Sequence, residues 1–165
     1  MTKVLEEMPW SNDKLRSKIE QSRTSIEAFL GIVPDAVVYL CTRDEMTARV
    51  KAELLQRGTS TSKVAFLETH VFSLLLGKFF ASTNEVWLIE GKGATDAILV
   101  HELLHSVQKC YPKRENICDY LTYRITNDTT IMEGKLRTEW AEIERVHSID
   151  QIKSRFLADG NCEDI

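Results

Sequence analysis

Residues 98–111 read ILVHELLHSVQKCY and hold His101, Glu102 and His105 in the spacing H-E-x-x-H. On a helix, positions four apart lie one turn apart on the same face. The two imidazoles can therefore each offer a nitrogen to one metal ion. Glu102, about 100° round the helix from His101, stands beside that ion without replacing either histidine. Zinc lowers the pKa of a coordinated water to about 7, and a carboxylate so placed can take its proton. With one ion, these three residues supply electrophile, nucleophile and general base.

The other faces of the helix constrain this chemistry. Leu99, Val100, Leu103, Leu104 and Val107 make it apolar around most of its circumference, which predicts a central, buried helix. Two histidines and a glutamate on its one polar sector are costly to bury without partners, and a metal is the simplest partner. A chance H-E-x-x-H arises in roughly one such chain in a few hundred, so the reading as two hydrogen-bonded core histidines is the weaker one. Thr95 is the natural N-cap, with Asp96 favoured in the first turn, and the helix is expected to run to about Lys109.

The elements that must position this helix follow from periodicity. DKLRSKIEQSRTSIEAFL, 13–30, has helical spacing, with Asp13 as its cap and Gly31 and Pro34 beyond its end. AVVYLC, 36–41, reads as a strand covered on both faces. Residues 43–58 read as an amphipathic helix closed by Gly58, and 58–62 as a polar loop. KVAFLETHVFSLLLGKFF is apolar in both periods, so strand and helix are not separable there. EVWLIEG is a short strand at 85–90. Residues 115–158 have helical spacing nearly throughout, and the tail GNCEDI reads as frayed.

Composition sets the class. The chain has 165 residues, 43% hydrophobic and 28% charged, enough for one domain with a real core. A net charge of −4 without a basic run argues against a nucleic-acid partner. The charged N-terminus lacks the apolar region of a signal peptide, and VFSLLLGKFF is too short to span a bilayer. These features predict a cytoplasmic protein with no membrane partner. Cys41, Cys110, Cys118 and Cys162 lack C-x-x-C spacing and are expected as reduced packing residues. The fold class is α+β, with strands in the first half and a helical second half.

TNEVWLIEGKGATDAILVHELLH resembles the zincin metallopeptidases, over residues 84–146; residues 1–83 match no family by motif. The resemblance implies a single minimal zincin-like domain with a small β-sheet and a buried active-site helix. It also implies one catalytic zinc ion and a protein or peptide substrate. In that family a strand just before the motif helix runs antiparallel to bound substrate, so Val86, Trp87, Leu88, Ile89 and Glu90 are candidates for it.

Three protein ligands and one open position are usual for catalytic zinc. The metzincin continuation would require Gly and His where Gln108 and Tyr111 stand, and Cys41 lacks the setting of the deformylase cysteine. A gluzincin-like glutamate on a later helix remains. In TTIMEGKLRTEWAEIERVH, Met132, Leu136, Ile143 and Val146 form a stripe with Trp140 at its edge, and Glu139 falls in its middle. Glu142 and Glu133 lie toward its margins and Glu144 further round. EWAE resembles the ligand-helix turn of some gluzincins, whereas Glu133–Gly134 is similar to the pair found in aminopeptidase-like members. Glu139 and Glu133 are thus the two candidate third ligands. Tyr111, Tyr120, Tyr123 and His147 are possible oxyanion donors, and His70 reads as structural. Besides a peptidase, the same residues suit a non-catalytic zincin-fold regulatory module or a zinc amidase on a non-protein substrate.

Overall fold

The computed structural model describes residues 10–111, 115–128, 130 and 135–162. Helix α1, Asn12–Leu30, is capped by Ser11, whose side chain accepts from Lys14 N–H, rather than by Asp13. It ends at Gly31 with φ 74°, a left-handed position that glycine takes at no steric cost. Strand β1, Val37–Cys41, leads into α2, Arg43–Gln56, through a capping box in which Thr42 and Glu45 bond reciprocally. The ambiguous stretch resolves into three pieces. They are helix α3 over Thr61–His70, a 3-10 turn at Phe72–Leu74 and strand β2 over Gly77–Phe80. Strand β3, Glu85–Ile89, precedes the motif helix α4, Asp96–Val107, and then come α5, Glu115–Thr126, α6, Lys135–Val146, and α7, Ile149–Leu157. Among the described residues this is an α+β fold with seven helices and a three-stranded sheet.

The sheet order is β1-β3-β2, with β1 parallel and β2 antiparallel to β3. The strand before the motif helix is therefore the central one, and both its edges are used in the ladder. β1 is an edge strand: Val37 is 51% and Tyr39 44% exposed, which corrects the expectation that it is covered on both faces. Gly93 fixes how tightly the strands close. A Cβ there would lie 2.1 Å from the carbonyl oxygen of Leu76 and 2.6 Å from the backbone of Ile89, distances only a glycine permits.

The larger core gathers around α4. Leu99, Leu103 and Leu104 are fully buried, packed with Ile26 of α1, Leu88 of β3, Leu121 of α5 and Phe156 of α7. At about 1.5–3 kcal/mol for each fully buried aliphatic side chain, these contacts hold the motif helix in the middle of the molecule. A second cluster, with Met46, Val50, Phe72 and Phe80, fills the space under α2. No described helix is long and apolar enough to cross a membrane.

The segment after α7 is not frayed at 160–162. Tyr111 N–H donates to Gly160 O, Cys162 N–H donates to Tyr111 O, and Cys162 is fully buried. Cys162 forms a disulfide with Cys110, correcting the expectation of four reduced cysteines, while Cys41 and Cys118 stay as buried thiols. Sequence spacing could not anticipate the pair, because 52 residues separate its members.

Candidate functional site

Thr95 Oγ1 accepts from Ile98 N–H and starts α4 where the sequence places its cap. The helix ends at Val107, two residues earlier than expected, where Gln108 turns extended. From this helix His101 and His105 project side by side, their Nε2 atoms 3.1 Å apart. The third group beside them is Glu115, from the first turn of α5. Its Oε2 lies 2.9 Å from His101 Nε2 and 3.3 Å from His105 Nε2. Three ligands on a tetrahedral ion at 2.0–2.1 Å stand about 3.3 Å apart, so this set has the spacing of a three-ligand zinc site. Among the described residues, these three form the group whose ligand atoms converge for a metal.

The far side of each imidazole is also held. His101 Nδ1 lies 2.8 Å from Asp119 Oδ1, and His105 Nδ1 lies 3.3 Å from Gln108 Oε1. Both acceptors take a hydrogen bond from Nδ1 and leave each Nε2 facing Glu115, to which it donates when no ion is bound, the orientation that partners of metal-binding histidines set. Gln108 is itself placed by sulfur: its Nε2 is 3.5 Å from the Sγ atoms of both Cys110 and Cys162. The Cys118 thiol closes the back of His105, 3.5 Å from Nδ1.

The carboxylates favour positive charge on the imidazoles between them. Burial pushes the His101 pKa down, but the bonds to Asp119 and Glu115 outweigh it and lift the value to about 10. Hydrogen bonds from His101 and His105 hold the Glu115 carboxyl well below the usual carboxylate range. Burial pushes Glu102 up, against the opposing charges of the two histidines.

Glu102 is 8% exposed, and what it can see is the cleft. It lines two cavities: one of about 380 Å³ on the side of His105 and Glu115, the other of about 240 Å³ on the side of His101 and Asp119. Gly77 of β2 lines both. A Cβ at Gly77 would lie 2.8 Å from Ile98 Cγ2 and 3.0 Å from Glu102 Cγ, so the missing side chain lets β2 pass directly over the site.

Several expected residues lie elsewhere. Glu139 is exposed on α6, because that helix buries its neighbour Trp140, stacked on Tyr120 at 4.4 Å between ring centroids. Of the apolar stripe, Ile143 packs partly buried against the core and Val146 is 62% exposed, while Met132 and the Leu136 side chain lie outside the described residues. Glu142 and Glu144 are also exposed, and Glu144 pairs with Arg124; Glu133 lies outside the described residues. Tyr111 is 77% exposed, Tyr120 donates to Glu144, and none of Tyr111, Tyr120, Tyr123 and His147 lines either cavity. His70 packs on Phe66 on the surface. Val86–Ile89 belong to the central strand, so the backbone edge beside the site is that of β2, which pairs with no further strand among the described residues.

A signal for Glu115 was present. A connection as short as 108–114 favours α5 returning along α4, and Glu115, Cys118, Asp119 and Thr122 recur at helical spacing, with Cys118 and Thr122 buried and Glu115 75% exposed at the rim. No family model matches this chain, and no curated protein or solved structure matches it either.

Proposed function

We propose that the chain is a zinc-dependent peptidase of gluzincin-like type, with His101, His105 and Glu115 as the ligands of one catalytic ion. The observation that carries this reading is the convergence of two Nε2 atoms and one carboxylate oxygen within 3.3 Å of one another, on a cleft lined by Glu102. Zinc bound there supplies a Lewis acid that polarises a carbonyl and acidifies a water. Glu102 takes a proton from the attacking water and returns it to the leaving amine. Asp119 and Gln108 keep both imidazoles in the ligating tautomer, so the site is assembled before substrate arrives. The outer edge of β2 runs along the cleft and pairs with no further strand among the described residues, the kind of edge on which an extended peptide can lie.

Zinc stoichiometry together with cleavage of a mixed peptide pool tests the proposal. One ion per chain is expected, with cleavage lost in Glu102→Gln while metal is retained. Hydrolysis that survives Glu102→Gln, or a protein that takes up far less than one zinc, overturns it.

A further inference from the structure

The two cavities that meet at Gly77 and Glu102 differ in chemistry. On the His101 side the wall is Leu74, Leu75, Leu76, Ala97 and Ile98. On the His105 side Arg57, Lys78 and Glu53 face the space beside Leu75, Phe79 and Ala81. Glu53 is 5% exposed and already ion-paired to Arg57. Lys78 has no such partner: no carboxylate among the described residues forms an ion pair with it, and its ammonium lies 5.6 Å from the centroid of the Phe80 ring. The wall thus holds two cations and one engaged carboxylate. Glu102 and Glu115 belong to the metal end, where a divalent ion would offset their charge.

A peptide entering this cavity displaces water from Lys78 and from the guanidinium donors of Arg57 that Glu53 does not use. A neutral side chain would leave those charges desolvated without compensation, and a basic one would meet them as like charges. A carboxylate satisfies both, and a cleft with low-dielectric walls focuses the attraction.

We propose that the cavity on the His105 side selects substrates through a carboxylate held by Lys78 and Arg57. The carboxylate comes from an aspartate or glutamate side chain next to the cut bond, or from the C-terminus of the peptide itself. This inference rests on the peptidase reading of the same histidines. Lys78 and Arg57 act as specificity residues and take no part in the bond chemistry.

The test uses zinc-loaded Glu102→Gln protein and affinity as its readout. Short end-capped peptides carry Leu-X or X-Leu at their centre, with X as Glu, Gln or Lys, and a further set of the Gln peptides has a free C-terminus. In at least one order Glu is expected to bind about tenfold more tightly than Lys, with the difference shrinking as salt rises. Lys78→Glu inverts that order, and Lys78→Gln, the milder change, narrows it. If the terminus is the source, the Gln peptides gain on uncapping and that gain falls in the same variants. Equal affinities throughout, no binding at all, or a carboxylate preference that Lys78→Glu leaves unchanged overturns the proposal. Hydrolysis of the same peptides by the wild-type protein is scored apart. A carboxylate preference without cleavage leaves the selectivity standing and sinks the peptidase reading.

Discussion

Asp119 Oδ1 lies 2.8 Å from Nδ1 of His101, the ring nitrogen opposite the one that faces Glu115 at 2.9 Å. Two carboxylates one turn apart on α5 thus grip both nitrogens of one imidazole, one in line with the proposed metal and one behind it. Asp119→Ala is expected to weaken zinc binding by roughly 10–100-fold while leaving about one ion per chain at saturating metal. Competition against a chromophoric chelator measures this, and an unchanged affinity would show that Asp119 does not orient the ring.

Glu115 and Glu139 make opposite predictions. Glu115→Ala removes a converging oxygen and is expected to weaken zinc binding beyond the roughly 100-fold limit set for an orienting partner. Glu139 is exposed and does not converge with the histidines, so Glu139→Ala is expected to leave zinc affinity alone and change stability by less than about 0.5 kcal/mol. Metal titration of the two variants side by side decides between them, and the reverse pattern would return the third ligand to α6.

Disulfide loss has two expected readouts. The Cys110–Cys162 link closes a separation of 52 residues, and Cys110→Ser with Cys162→Ser is expected to cost about 2–4 kcal/mol in urea unfolding. Because Gln108 rests on both sulfurs and holds His105, zinc affinity should also fall in the folded double variant. A stability loss without any change in affinity would uncouple Gln108 from the disulfide.

Alkaline pH should destabilise the fold through two buried acids. Burial, followed by the charges of Glu45 and Glu90, pushes the Cys41 thiol up to about 11; burial, followed by the bond to Glu144, pushes Tyr120 up to about 12. Each stays protonated in the folded chain at a pH where the unfolded chain has begun to ionise, so the folded state binds more protons and stability falls as pH rises. The contribution is intact below about pH 9 for Cys41 and about pH 10 for Tyr120, and is lost as pH climbs through 11 and 12. Urea midpoints between pH 8 and 11.5 should drop more steeply in the wild type than in a Cys41→Ala, Tyr120→Phe protein. Equal slopes would contradict the assignment.

What could be read from sequence was what a few adjacent turns decide. The motif, the Thr95 cap, the buried faces of α4 and the pairing of His101 with His105 all follow from contacts three and four residues apart, which a helix fixes by itself. Helices α1 and α2 were legible for the same reason, and the strand at 85–89 from a short β-rich run stopped by the glycines after it.

Whatever depends on distant partners needed the tertiary structure. Residues 63–80 are apolar in both periods, and only pairing with β3 and the close passage of Gly77 over Glu102 make 77–80 an edge strand. The strand order put β3 in the centre and gave the outer edge by the site to β2. Glu139 and Trp140 differ by one residue, about 100° of helix, and the Tyr120 ring decided that the tryptophan turns inward. The third carboxylate followed the same rule. Sequence periodicity says which face of a helix is apolar, whereas only the turn after α4, folding α5 back along it, brings Glu115 and Asp119 to the histidines.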